Sequence, residues 1–126
     1  MGKRILISAP YFQPVLEKYL PVFDQYNLEP VVPEVTERLE EDELLEIIGD
    51  IDGAICGDDR FTAKVFNAAP RLSVISKWGT GIDSIDQSYA KQKQVKIFNS
   101  PNAFTNPVSD TVLGYILLFA RQLHTM

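Results

Sequence analysis

The chain is poor in the residues that staple, chelate or anchor a protein. A single cysteine, Cys56, cannot close an internal disulfide, and with one histidine, His124, nothing resembles a metal cluster. No apolar run is long enough for a membrane. Val112 to Ala120 is the longest, nine residues interrupted by Gly114, against roughly 20 for a bilayer helix. Behind the basic Met1-Gly2-Lys3-Arg4 start, Ile5 to Ile7 stops at Ser8 and Pro10, too short for a signal-peptide core. Leu6 stands where myristoylation wants Ser or Thr. Basic excess is also missing: 12 Lys and Arg against 17 Asp and Glu leave a net charge of −5. No general field holds nucleic acid or an anionic membrane, so any anion must be held by a local device. These absences point to a soluble, cytoplasmic protein in a reducing compartment. What is present is the apolar fraction of a globular domain, 45% in 126 residues, enough for one core and too little chain for two full domains.

Short apolar runs alternate with helical periodicity. Lys3 to Ala9, Leu28 to Val32, Gly53 to Cys56, Leu72 to Ser76 and Val95 to Phe98 read as strands, the first with the contiguous Ile5-Leu6-Ile7 of a strand buried on both faces. Between them the spacing predicts helices over 14–25, where Pro21 should kink or interrupt the pattern, 36–49 stopped by Gly49, 62–69, and 84–92 opened by a Ser84/Gln87 capping box. Such alternation predicts an α/β fold, a flavodoxin-like, doubly wound parallel five-stranded sheet. Nine of the seventeen acids lie between Glu34 and Asp52, mostly on one helix, and read as a solvated face and not as a metal site. A last helix over 107–123, capped by Thr105 or Asn106, is apolar almost all round, from Val108 to Leu123. One sheet covers only one stripe of such a helix, so the rest expects cover from outside the chain.

In open parallel sheets, ligands bind beyond the carboxyl ends of the strands. Those ends are Ala9-Pro10-Tyr11-Phe12, Gly57-Asp58-Asp59-Arg60, Lys77-Trp78-Gly79-Thr80-Gly81 and Asn99-Ser100-Pro101-Asn102. The strongest signal is Lys77 to Asp83. Glycines flanking Thr80 allow N–H groups to converge on one point, a concavity that fits a carboxylate, with Lys77 near enough in sequence to add a charged hydrogen bond. The same residues also read as a tight turn with Lys77 in solvent. Gly79-Thr80-Gly81 is not a dinucleotide fingerprint, because Ser84 stands where the third glycine is needed and no acid lies about 20 residues on. Neither that fingerprint nor a P-loop occurs elsewhere.

Leu72 to Asp86, then Val95-Lys96-Ile97-Phe98-Asn99-Ser100-Pro101, then Val108-Ser109-Asp110 leading into an apolar helix ending at Ala120-Arg121, together resemble the D-isomer-specific 2-hydroxyacid dehydrogenases, most of all their phosphoglycerate dehydrogenase branch. The resemblance implies that residues 1–102 are the N-terminal part of a substrate-binding domain and that 103–126 are the hinge and first helix of an NAD-binding domain whose remainder is absent. It implies an oxidoreductase that moves hydride between NAD(H) or NADP(H) and a small 2-hydroxy or 2-oxo acid. The backbone N–H groups of Thr80 and Gly81 would hold the substrate carboxylate, within a substrate-binding run of Lys77, Trp78, Gly79, Thr80 and Gly81. Asn99, Asn102 and Val108 would lie near substrate and nicotinamide. The helix over 108–123 would be covered by the second domain and by a partner subunit, so a homodimer or self-association through it is expected. The family's catalytic arginine, glutamate and histidine come later than position 126, and His124 is not that histidine. No catalytic residue is assigned, the 126 residues are expected to bind no NAD, and alone they are expected to be inactive.

Phosphoglycerate-specific members carry a basic residue right after the third strand. This chain has Gly57-Asp58-Asp59 there, with Arg60 three positions later, and two acids would repel a phosphate unless Arg60 swings in. Cys56 reads as a small core residue, Asp83 and Asp86 as helix-start residues, and His124 and Arg121 as cations at a helix end. Trp78 reads as a cleft wall or a packed loop aromatic. A competing reading is a stand-alone flavodoxin-like regulatory module, receiver-like through Asp58, although Ser8-Ala9-Pro10 supplies none of the acidic pair a receiver needs.

Overall fold

The computed structural model describes residues 2–125. Five strands, β1 (Lys3–Ile7), β2 (Leu28–Val31), β3 (Gly53–Cys56), β4 (Val74–Lys77) and β5 (Lys96–Phe98), pair in the order β2-β1-β3-β4-β5, all parallel. This is the flavodoxin-like arrangement that the alternating pattern predicts. The register explains the contiguous apolar run in β1. Leu6 aligns with Ala54, and Ala54 with Ile75, placing all three in one core with Leu44, Ile48, Val65, Phe66 and Ala90 from the helices on that side. Ile5 and Ile7 point the other way, where Ile7 packs with Phe12 and Phe23. On that second face cover ends at β3: Ser76 and Phe98, which continue the Ile7–Ile55 row, are exposed.

The helices are α1 (Leu20–Gln25), α2 (Glu41–Ile47), α3 (Ala63–Asn67), α4 (Gln87–Gln92) and α5 (Thr105–Ala120). Several differ from the periodicity. The helix expected over 14–25 is a 3-10 segment, Gln13–Tyr19, followed by α1. Pro21 falls in the first turn of α1, where its missing N–H has no partner to lose, so it starts the helix rather than kinking one. The helix expected over 36–49 begins only at Glu41, with Glu40 and Glu43 forming a reciprocal capping box, and ends at Ile47 before a 3-10 turn carrying Gly49. The Ser84/Gln87 box does not form: Asp86 caps α4 by accepting from the Tyr89 N–H, and the Ser84 hydroxyl is buried without a partner. At α5 the capping position is Phe104, with no side-chain cap, in place of Thr105 or Asn106.

α5 is exposed along its length. Val108, Leu113, Tyr115, Ile116 and Phe119 each keep more than half of their surface open, and no α5 residue is buried. No helix among the described residues is long and apolar enough to cross a membrane.

Candidate functional site

Parallel pairing brings the loops after β1, β2, β3 and β4 to one end of the sheet. They enclose a cavity of about 240 Å³, walled by Pro10 and Tyr11 after β1, Thr36 and Glu37 after β2, Gly57 and Asp58 after β3, and Lys77 and Trp78 at the end of β4. Lys77 is the last residue of its strand, not a loop residue, because β4 starts and ends later than the apolar run suggests. Its partner in register is Cys56, so its side chain reaches the turn just beyond. The ammonium donates to the Gly57 carbonyl at 2.8 Å and pairs with the Asp58 carboxylate. Lys77 is therefore neither in solvent nor left to an incoming anion alone. The Lys77 hydrogen bond holds the Asp58 carboxyl below the usual carboxylate range, against the opposing effect of burial.

Of the two acids after β3 only Asp58 faces this cavity. Asp59 is fully buried and turns inward, accepting from the Ser8 hydroxyl and from the Leu39 N–H, each at 2.5 Å. Burial pushes its carboxyl up, the hydrogen bonds from Leu39 and Ser8 opposing. Arg60 does not line the cavity; its guanidinium lies 4.0 Å from Glu40, yet it and Arg38 stand near enough to help hold the Asp58 carboxyl down. Cys56 is the core residue its position suggests: burial pushes its thiol up to about 12, so it is no nucleophile. Trp78 walls the cavity while its ring packs on Phe12, centroids 5.5 Å apart.

The loop beyond β4 turns on Gly79, whose φ of 140° disfavours any side chain. A Cβ there would sit 3.5 Å from Lys77 Cε, so the loop runs directly against the lysine stem. The loop beyond β5 closes on it: Asn99 Nδ2 donates to the Thr80 carbonyl at 2.7 Å and the Ser100 N–H to the Gly79 carbonyl at 2.8 Å. Two carbonyls are thereby taken up. The backbone N–H groups of Thr80 and Gly81 donate to no acceptor among the described residues. Beside Gly81 the space is open, with nothing within 4 Å of where a Cβ would stand. The N–H groups of Ile82, Asp83 and Ser84 are likewise unclaimed among the described residues, so the turn over 80–84 offers a run of backbone donors to solvent or to a small anion.

The structure thus joins Lys77, Trp78, Gly79, Thr80, Gly81 and Asn99 around one strand end. Of these only Lys77 and Trp78 line the cavity; Gly79, Thr80, Gly81 and Asn99 do not, nor do Asn102, with φ of 61°, and Val108, exposed on α5. Thr36 and Glu37 were hidden from sequence reasoning because they read as a helix start. The Lys77–Asp58 pair was hidden because only the β3–β4 register brings these residues together. Among the described residues no group of three or more His, Cys, Asp or Glu stands close enough to hold a metal ion. Nor do they fit a dinucleotide. The helix after the glycine loop, α4, is six residues long with its first turn capped by Asp86, which leaves no open N-terminus for a pyrophosphate.

A family model described as D-isomer specific 2-hydroxyacid dehydrogenase, catalytic domain, matches residues 5–117. Hydroxypyruvate reductase of Thermotoga maritima is 37% identical over 92 residues, covering 71% of this chain and 30% of the relative. Human D-3-phosphoglycerate dehydrogenase is 33% identical over 88 residues, 69% of this chain and 16% of the relative. Among solved structures, the TT0316 protein of Thermus thermophilus superimposes with a TM-score of 0.77 at 26% identity, over 97% of this chain and 38% of that one. An NAD⁺-bound 3-phosphoglycerate dehydrogenase of Entamoeba histolytica, at 21% identity and TM-score 0.76 over 94% of this chain and 39% of that one, shows the shared fold. The matches thus span under a third of the length of these two curated relatives.

Proposed function

The chain belongs to the D-isomer specific 2-hydroxyacid dehydrogenase family, and from that premise we propose that its strand ends bind the carboxylate of a small 2-hydroxy or 2-oxo acid. The observation that carries this reading is the pair of free N–H groups at Thr80 and Gly81, beside a loop pinned by Asn99 and Ser100. Hydrogen bonds to a charged group contribute about 1.5–3 kcal/mol each where water is excluded, and less at a loop as open as this one. Two of them on one carboxylate fix its position as well as its affinity. The rest of the acid then lies toward Lys77 and Trp78, whose backbone leads directly into the loop.

In this reading residues 1–102 are part of a substrate-binding domain and 103–126 lead into a nucleotide-binding domain. The full reaction is reversible hydride transfer between NAD(H) or NADP(H) and the acid; the nicotinamide, when bound, supplies the hydride. The residues here do not cradle that cofactor, so the 126-residue chain is expected to oxidise no NADH in the presence of glyoxylate or hydroxypyruvate. Asn99, Asn102 and Val108 are the positions that approach the nicotinamide from this side. The exposed apolar face of α5 is the contact surface, and the chain self-associates through 108–123, as a homodimer or a larger assembly. The buried, unpaired Cys56 and the absence of a basic field support a reducing, cytoplasmic setting.

Calorimetric titration with glyoxylate tests the site. Binding is expected in the wild type and in Gly81→Ala, whose Cβ meets open space and which keeps its N–H. It is expected to be lost in Gly81→Pro, which has no N–H to give. Equal affinity in all three chains refutes the assignment.

A further inference from the structure

The two faces of the sheet are covered unequally. α2, α3 and α4 all pack on the first face, through Leu44, Phe66 and Ala90. The second face has only the 3-10 segment and α1, which cover Ile5 and Ile7 and reach no further than Ile55. Beyond Ile55 the floor is Val74 and Ser76 of β4 and Lys96 and Phe98 of β5, with Phe98 more than half exposed. All-parallel sheets are covered on both faces, so this half-face calls for a further layer. Its width says what kind. From β3 to β5 is about 10 Å, the width of one helix with its side chains. The exposed rings of Tyr19 and Trp78, both packed on Phe12, carry the apolar surface on past the floor.

Resting on the self-association read above, we propose that α5 of a second copy lies on this half-face, reciprocally, so that each chain's helix covers the other's open floor. α5 carries one charge, Asp110, and the helical repeat sets it opposite the stripe of Val108, Val112, Ile116 and Phe119. That stripe is wholly apolar and exposed, so docking it desolvates no charge. The floor's one cation, Lys96, lies on the edge strand, where its stem covers apolar surface while the ammonium stays in water. The chain's own α5 is not the occupant. The loop that would turn it back is committed elsewhere: Asn99 and Ser100 are bonded to the Gly79–Thr80 carbonyls, Asn102 takes a left-handed conformation, and no α5 side chain is buried on the body. Area favours reciprocity. Each half-exposed aromatic offers on the order of 100 Å², so one helix on one floor buries too little for a stable pair, whereas two such contacts reach the roughly 1,000 Å² that a specific interface needs.

Paramagnetic broadening in a mixed sample tests the docking. Leu117→Cys puts a nitroxide on the side of α5 turned away from the stripe, and the buried Cys56 takes no label. This unlabelled-nitrogen chain is mixed with the ¹⁵N-labelled wild type. The amides of residues 74–76 and 96–98 in the wild-type partner are expected to broaden, while Leu44 and Phe66 on the first face stay sharp. Broadening confined to residues 108–123 means helix-on-helix association; it overturns the docking and leaves self-association standing. Floor broadening seen only when label and ¹⁵N share one chain means that α5 folds back on its own sheet, and it too overturns the second-copy occupant. A monomer in sedimentation with no broadening removes the self-association reading, and this inference falls with it. Phe98→Ser, an exposed substitution in the floor and not in α5, is expected to weaken the dimer about tenfold or more without moving the unfolding midpoint under monomeric conditions. An unchanged dimer constant in Phe98→Ser overturns the floor as the docking surface.

Discussion

The sheet body and α5 are both rich in large apolar residues, yet they treat them in opposite ways. In the body Leu6, Phe66 and Ile75 are almost wholly buried, whereas Tyr115, Ile116 and Phe119 on α5 remain more than half exposed. The difference lies in how the apolar residues are arranged. Each helix between strands carries one apolar stripe, and the sheet supplies one apolar face to receive it. An all-round apolar helix has no such single partner. The body therefore shows what this sequence can satisfy by itself, and α5 shows what it cannot.

Core truncation should separate the two regions most sharply. Phe66→Ala is expected to cost about 3–5 kcal/mol in urea unfolding, while Phe119→Ala costs at most about 0.5 kcal/mol under monomeric conditions. A comparable loss at Phe119 would show that α5 packs on the body in solution. Next in size, Asp59→Ala strands the Leu39 N–H and the Ser8 hydroxyl in the core and is expected to cost about 1–3 kcal/mol. Because Asp59 is raised from its ordinary 3.8, its contribution is full below that pH and is lost as pH rises through the raised value. The gap between wild type and Asp59→Ala should accordingly narrow with rising pH in denaturant titrations. A gap that widens instead contradicts the buried carboxyl.

Asp52 has the opposite sign. Burial pushes its carboxyl up, but Arg71, the Arg4 N–H and Lys3 together outweigh that and hold it below 3.8. Its contribution is present above that pH and lost as pH falls through the lowered value. With the Arg71 side chain half exposed, Arg71→Ala is expected to cost about 1 kcal/mol or less, and only above that acid range. The smallest change in folding belongs to α5: Ile116→Ser should leave the unfolding midpoint where it is while weakening self-association in sedimentation. Unchanged association would remove 108–123 as the contact surface.

Strand order and the exposed helix were legible because both follow from apolar patterning. So was the glycine loop, since few residues other than glycine adopt the backbone at Gly79. The caps were not. Asp86 reads from the sequence as a helix-start residue and does cap α4, but the Ser84/Gln87 box and a helix start at 36 do not form, because the choice depends on where packing stops the helix. Asp58 and Asp59 are adjacent in sequence yet diverge completely, one onto Lys77 and the other into the core. Nothing local distinguishes them; the β3–β4 register and the loop at Leu39 do.

We propose that the body alone binds a carboxylate at the end of β4 while α5 takes a different partner. Titrating the ¹⁵N-labelled chain with glyoxylate and following each backbone amide tests it most directly. The amides of Thr80 and Gly81 are expected to shift and saturate together, with those of Val112 to Phe119 unmoved. Shifts concentrated in α5, with residues 79–81 silent, would contradict it.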